Sequence, residues 1–445
     1  MTKTLELDRR HAWHPYTQHA TEVDPIVIER AKDASLFEEG GREILDLVSS
    51  WWTCTHGHSH PEINKALSAQ ADKFEHVMFA GFTHAPAATL AGKLSDVLPG
   101  SLNRVFFTDN GSTAVEVALK LSYQYWLNKD QDQRRLFLAF DGGYHGDTFG
   151  AMAVGKGSGF FTLFEDLMFE VNALPFPATW QGDADVLNKE AAALEALDGV
   201  LKSQGKNIAG LIIEPLIQGA GGMRMCRPEF ISAMVARVQA QGIPVIFDEV
   251  ATGFGRTGTL FALEQAGVVP DVICLSKGLT SGYMPMSVTV VRDEIFDAFL
   301  GDDFNRALAH GHSFTANPLA CAVALRSLEL FEEEKTLDRI AAINAQHMAF
   351  LEREKDNPLI TRPRCTGTVM AFDLNLNPDL DPEAGAYKSG PSEYLRSYFV
   401  KSGLNIRPLG STLYLMPPYC ITPAELDRAY TGLLLGLEKS RETSS

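Results

Sequence analysis

Two short apolar runs end in residues that could do chemistry together. Asp248 directly follows the run Pro244–Phe247, and Lys277 lies two residues past Val272–Leu275, 29 positions further on. A lysine carried to the mouth of a sheet can lose basicity through burial and act as an amine nucleophile or a base; the plainer alternative is a lysine that snorkels to solvent. Asp248 and its neighbour Glu249 at a strand end are costly to desolvate unless each meets a cation or hydrogen-bond donors, so both need partners. A third segment, Thr108-Asp109-Asn110-Gly111-Ser112-Thr113, opens a helical stretch. Free N–H groups at a helix start, a glycine and two hydroxyls make an anion cradle, or an ordinary N-cap at Asn110 or Ser112. A fourth, Phe140–Asp147, surrounds Tyr144 with Gly142, Gly143 and Gly146. Such a loop can hold an aromatic ring over a flat ligand, or simply turn tightly around a half-buried tyrosine.

These segments need elements that bring them together. Ligands of open α/β sheets collect at the carboxyl ends of parallel strands. Continuous Val, Ile, Leu and Phe runs over 104–108, 135–140, 209–213, 244–247, 272–275 and 286–291 predict strands covered on both faces. Helices fit 112–126, 228–241 and 318–334, the last two opening with proline. The expected fold class is α/β: a large domain over 60–325 with a mostly parallel central sheet. A small α+β domain is expected from both termini, 1–59 and 326–445. Its N-terminal part contains a hairpin pattern, Ser35–Phe37, Gly40-Gly41 and Glu43–Val48. Its C-terminal part contains a charged helix over 337–355, a strand near 369–374 and a Pro-, Gly- and Asp-rich loop over 377–391.

The 445 residues are 45% hydrophobic and 21% charged, a globular composition. Thirty-nine Lys and Arg against 56 Asp and Glu give a net charge of −17, which repels phosphate backbones and argues against a nucleic acid partner. No apolar run approaches the roughly 18 residues of a membrane span; the run at Gly210–Leu216 is broken by Glu214 and Pro215. The N-terminal segment has no apolar signal core, so a cytoplasmic location is expected. Six cysteines without a C-x-x-C pair predict reduced, mostly buried thiols rather than a zinc ribbon or a disulfide framework. Gly253–Gly258 matches G-x-G-x-x-G, but a pyrophosphate there would meet Asp248 and Glu249, which argues against a dinucleotide. His56, His58 and His60 could share one face if extended; with no acidic or thiol cluster beside them, no metal is assigned.

Lysine, aspartate, aromatic loop and Gly-Ser turn together resemble the site of fold-type I pyridoxal-phosphate enzymes. The segments FDEVATGFGRTG and SKGLTSGYMPMS resemble class III aminotransferases, and the likeness runs through nearly the whole chain. The resemblance implies pyridoxal 5'-phosphate as cofactor, with Lys277 attaching it, Asp248 pairing with its ring nitrogen, Tyr144 against the ring, and Gly111 and Ser112 at the phosphate. Gly311-His312-Ser313-Phe314 departs from the family's usual Thr, but Ser313 keeps the hydroxyl that would reach the phosphate across a homodimer with shared active sites.

Trp13–Thr17, Ser49–Trp52, Gln218–Met225 and Tyr414–Tyr419 narrow the likeness to the branch that acts in biotin synthesis. There the acceptor is 8-amino-7-oxononanoate, the product 7,8-diaminononanoate and the donor S-adenosylmethionine. On that likeness Tyr16, Trp51, Tyr144, Gly311 and Tyr414 surround the substrate, with Tyr16 also among the catalytic set. Asp147 stands at its amine-bearing end, Arg407 binds its far carboxylate, and Arg256 positions the donor's carboxylate. Planar guanidinium forks suit carboxylates, and aromatic walls suit a long aliphatic chain. Lysine as donor of the same step, and a class III transaminase of ω-amino acids or amines, are the alternatives within the class. An NAD-linked oxidoreductase and a non-catalytic binding protein are those outside it.

Overall fold

The computed structural model describes residues 2–155, 161–375 and 390–443. A seven-stranded sheet runs in the spatial order Leu102–Thr108, Ser287–Arg292, Val272–Leu275, Val245–Asp248, Ile208–Ile213, Leu136–Phe140, Val171–Leu174. Ser287–Arg292 is antiparallel to both neighbours, and the remaining pairings are parallel. Burial explains the unbroken apolar spelling of these strands. Val245 and Phe247 enter one hydrophobic cluster with Ile273 and Leu275, whereas Ile246 enters another with Val272 and Cys274. Both faces are therefore covered, so alternation with polar residues would cost burial that supplies about 1.5–3 kcal/mol per large apolar side chain.

The expected strands and helices appear with ends shifted by a residue or two, helices covering Gly111–Leu127, Pro228–Gln239 and Pro318–Glu333. Val171–Leu174 was not expected; it is a short edge strand with one fully buried residue, Leu174, and little apolar signal.

The chain's two ends meet in smaller sheets. Ile28–Lys32, Ser35–Glu38 and Glu43–Asp46 form an antiparallel meander, and Leu404–Asn405 adds to it in parallel. Gly40 and Gly41, with φ of 105° and 89°, close the hairpin in a region that L side chains avoid. Ile360–Thr366, Val369–Leu374 and Thr412–Leu415 form a second sheet. One hydrophobic cluster unites Leu45 and Leu47 with Phe350, Phe372, Leu413 and Leu433. The loop expected over 377–391 lies outside the described residues up to 389, and a helix spans Gly390–Lys401.

Of the three imidazoles of 56–60, His56 and His60 meet edge-on at 6.2 Å, and each of the three has its own partner. His56 meets Ser327 O, His58 meets Asp46 and His60 meets Glu334. All six cysteines are free thiols, four buried and two half-buried. Among the described residues, no helix is long and apolar enough to cross a membrane.

Candidate active site

A cavity of about 560 Å³ opens at the carboxyl ends of the central strands. Its walls include Tyr16, Trp51, Gly111, Ser112, Tyr144, Asp147, Asp248 and Lys277. Eight of the expected site residues thus come together from segments far apart in the chain.

At the floor, Asp248 ends its strand with both carboxylate oxygens engaged. Oδ1 accepts from Val250 N–H at 3.1 Å, and Oδ2 lies 2.7 Å from His145 Nδ1. Burial alone would push His145 down, but the hydrogen bond and charge of Asp248, with the charge of Glu214, outweigh it and hold the imidazole above its ordinary range. His145 was not singled out from the sequence. The unmet partner of a strand-end aspartate, beside a histidine on the neighbouring glycine loop, was the available signal. Glu249, one residue on, turns away: its oxygens accept from the N–H groups of Ala262 and Leu263 at 2.7 and 2.9 Å, starting a helix. Adjacent carboxylates thereby take separate tasks.

Lys277 has φ of 45°, a left-handed backbone for a side chain that would ordinarily avoid it. Strain of this kind concentrates at functional sites. Among the described residues its ammonium makes no hydrogen bond or ion pair, and it lies 4.6 Å from the centre of the Trp52 ring. Desolvation holds its pKa down to about 8, against the opposing pull of Asp248 and Glu214. Glu214 is itself pushed up to about 7 by burial, while accepting from Tyr144 N–H and Gly219 N–H at 2.9 Å each.

The turn at Asn110-Gly111-Ser112 begins a helix with a capped N-terminus. Asn110 is the N-cap, its Oδ1 accepting from Thr113 N–H at 3.1 Å. That cap leaves the first-turn N–H groups of Gly111 and Ser112 without intrahelical acceptors. Ser112 Oγ accepts from Asp147 N–H at 3.2 Å, pinning the glycine loop against the turn. Gly146 is required there, because an added Cβ would stand 2.1 Å from Ser112 Oγ.

On the wall, Tyr16 donates to Asp147 at 2.6 Å and stands 3.5 Å from the Tyr144 hydroxyl. Burial, then Tyr16 and Asp147, push the Tyr144 phenol up, so it stays protonated. Trp51 meets Tyr16 edge-on at 5.9 Å, and the Arg407 guanidinium lies over the Trp51 ring at 5.2 Å. Ser49, Ser50, Trp51 and Trp52 all have positive φ, a left-handed turn that costs roughly 1–2 kcal/mol per residue.

Some expected site residues stand elsewhere. Tyr414 is buried behind the wall, its hydroxyl accepting from Trp52 Nε1 at 3.0 Å, so it backs the indole instead of facing a ligand. Arg256 does not reach the cavity either: its guanidinium is buried and donates to the carbonyls of Pro417, Cys54 and Trp52. Both terminal nitrogens are thus engaged by backbone carbonyls, and Nε is buried without a hydrogen-bond partner among the described residues. Gly311 and Ser313 are exposed and outside the cavity of their own chain.

The aminotransferase class-III family model matches residues 16–435, and the chain belongs to that family. It is 49% identical to the adenosylmethionine-8-amino-7-oxononanoate aminotransferase of Synechococcus elongatus, over 95% of this chain and 97% of that one. It is 38% identical to the protein of the same name from Geobacter sulfurreducens, over 99% and 98%. Among solved structures, the one of that name from Methanocaldococcus jannaschii superposes with a TM-score of 0.88 at 32% identity, covering 98% of each chain. An (S)-enantioselective omega-transaminase from Thermomicrobium roseum gives 0.91 at 29%, also over 98% of each. Backbone shape is thus shared across the class and does not separate its substrates.

Class III aminotransferases depend on pyridoxal phosphate, and the residues here fit that group. A depressed amine, a carboxylate backed by an imidazole and a cradle that only glycine allows match an aldehyde, a ring nitrogen and a phosphate.

Proposed function

We propose that this chain transfers an amino group from S-adenosylmethionine to 8-amino-7-oxononanoate, giving 7,8-diaminononanoate in biotin synthesis. The observation that carries the reading is the desolvated Lys277 amine on the floor of a cavity that also holds Asp248. The 49% identity over 95% of the chain favours this substrate pair over an amine transaminase.

Bound here, pyridoxal phosphate supplies an electron sink for the donor's α-carbon. Lys277 would attach it and, as a free amine, would hold and move the proton at the donor's α-carbon. Asp248, hydrogen-bonded to His145, would pair with the ring nitrogen; charge-assisted bonds of this kind are worth roughly 1.5–3 kcal/mol. Gly111 and Ser112 would bind the phosphate with their N–H groups. Ser313 would add its hydroxyl from the second copy of a homodimer, which makes that dimer the functional unit of this reading. Tyr144 would lie against the ring, while Tyr16 and Asp147 would orient the amine end of the substrate. Arg407 at the rim takes the far carboxylate, and Trp51 lines the aliphatic chain.

A large domain over 60–325 and a small one over 1–59 and 326–445 complete the reading, supported by the hydrophobic cluster that both chain ends enter. The enzyme works in the cytoplasm. The test is a half-reaction: yellow holoenzyme mixed separately with S-adenosylmethionine, lysine and alanine. Bleaching by S-adenosylmethionine alone is expected. Bleaching by lysine alone changes the donor, and bleaching by simple amines and alanine points to the broader transaminase class.

A further inference from the structure

Ser49, Ser50, Trp51 and Trp52 have φ of 49°, 46°, 69° and 72°. Trp52 N–H donates to Val48 O at 2.8 Å and Thr53 N–H to Ser49 O at 3.0 Å. The segment is a turn of left-handed helix, a form in which Cβ crowds the next carbonyl and which L-residues visit singly, not in runs. Such a backbone persists only when its surroundings over-determine it.

The surroundings are on both sides of the turn. Ser49 Oγ donates to Met416 O and Ser50 Oγ to Asp46 Oδ2, each at 2.7 Å. Trp52 Nε1 donates to the Tyr414 hydroxyl at 3.0 Å. Arg256 ties these two walls together: Nη1 donates to Pro417 O at 2.9 Å, and Nη2 to Cys54 O at 2.9 Å and Trp52 O at 3.3 Å. Its guanidinium lies over the Tyr419 ring at 4.8 Å, and the residue is 1% exposed. The glycines around it have a structural purpose. An added Cβ at Gly255, whose φ is 94°, would stand 2.5 Å from Ile340 Cδ1, and one at Gly253 would stand 2.8 Å from Glu249 O. The G-x-G-x-x-G pattern is therefore a tight loop that delivers Arg256 to this spot.

We infer that Arg256 is a positioning residue for both ends of the cavity, acting through the left-handed turn and not through a substrate carboxylate. The turn presents two indoles. Trp52 lies 4.6 Å from Lys277 Nζ, and Trp51 lies 5.2 Å from the Arg407 guanidinium. If the turn relaxes toward an ordinary conformation, the packing of the amine on the floor and of the carboxylate receptor at the rim changes together. The inference rests on the functional reading above. Wild-type bleaching tests that reading, whereas ratios of variant to wild type and the emission below test the inference.

Arg256→Lys keeps the charge but offers one ammonium for three carbonyls; Arg256→Gln is the second variant should the first fold poorly. Each half-reaction is measured on the holoenzyme, first with S-adenosylmethionine and then with 8-amino-7-oxononanoate. Both are expected to slow by a similar factor, on the order of 100-fold, as for other small misplacements of a site. The tryptophan emission that disappears in Trp51→Phe is expected to shift in Arg256→Lys, with or without substrate. Combined with Trp51→Phe, the loss in the acceptor half-reaction is expected to be smaller than the product of the single losses. A loss confined to the donor half-reaction, with unchanged emission and multiplicative combination, would overturn the inference and return Arg256 to the donor's carboxylate.

Discussion

Lys277, Asp248 and Ser112 each stand within a few residues of the end of a strand in the central sheet, held by rigid elements packed on both faces. The rim is made by Tyr16 and Trp51, with Arg407 packed over the Trp51 ring; all three come from irregular segments near both ends of the chain, two of them with left-handed backbone. The floor has the precision that bond-making needs, since displacements of about 1 Å can cost 100-fold in rate. The rim has the variability that lets one fold serve many substrates. Changes at the floor should therefore abolish chemistry whatever the substrate, and changes at the rim should alter which substrate is used.

Lys277→Ala should have the largest effect, removing the visible absorption of the holoenzyme and lowering turnover at least 100- to 10,000-fold, as for other acid-base groups. Asp248→Asn comes next: cofactor retained, most turnover lost for every donor, read by absorbance and steady-state rates. A fully active variant would deny the floor its role in supporting the ring. At the rim, Arg407→Ala should raise KM for the keto acid by roughly 10- to 150-fold, the equivalent of a charge-assisted hydrogen bond, with the donor half-reaction unchanged. Equal losses in both half-reactions would erase the distinction between floor and rim.

The smallest effect is in pH. Lys277 reacts as the neutral amine, and burial lowers its pKa from 10.5 to about 8. At pH 7 roughly one amine in ten is neutral, so the rate of cofactor loading into apoenzyme should rise roughly tenfold by pH 9 and level off. A rate still climbing steeply through pH 10 would mean an ordinary, solvated lysine.

The same division governs what can be read from the residues. Strands at 245–248 and 272–275 are legible because covering both faces forces continuous apolar spelling, and that placed Asp248 and Lys277 at one edge. His145 escaped because a histidine in a glycine loop has no periodicity to mark it; only the unmet partner of Asp248 points there. Arg256 and Tyr414 carry residue types suited to ligands, yet their tertiary surroundings turn them to Pro417 O and Trp52 Nε1. Nothing local in Ser49–Trp52 favours a left-handed turn, since it is imposed by contacts with residues 46, 256, 414 and 416.

The covalent attachment point can be located directly. Holoenzyme reduced with borohydride, digested and examined by mass spectrometry should carry a single pyridoxyl-phosphate adduct, on the peptide containing residue 277. An adduct on another lysine, or none after reduction of a yellow protein, would contradict the site described for this chain.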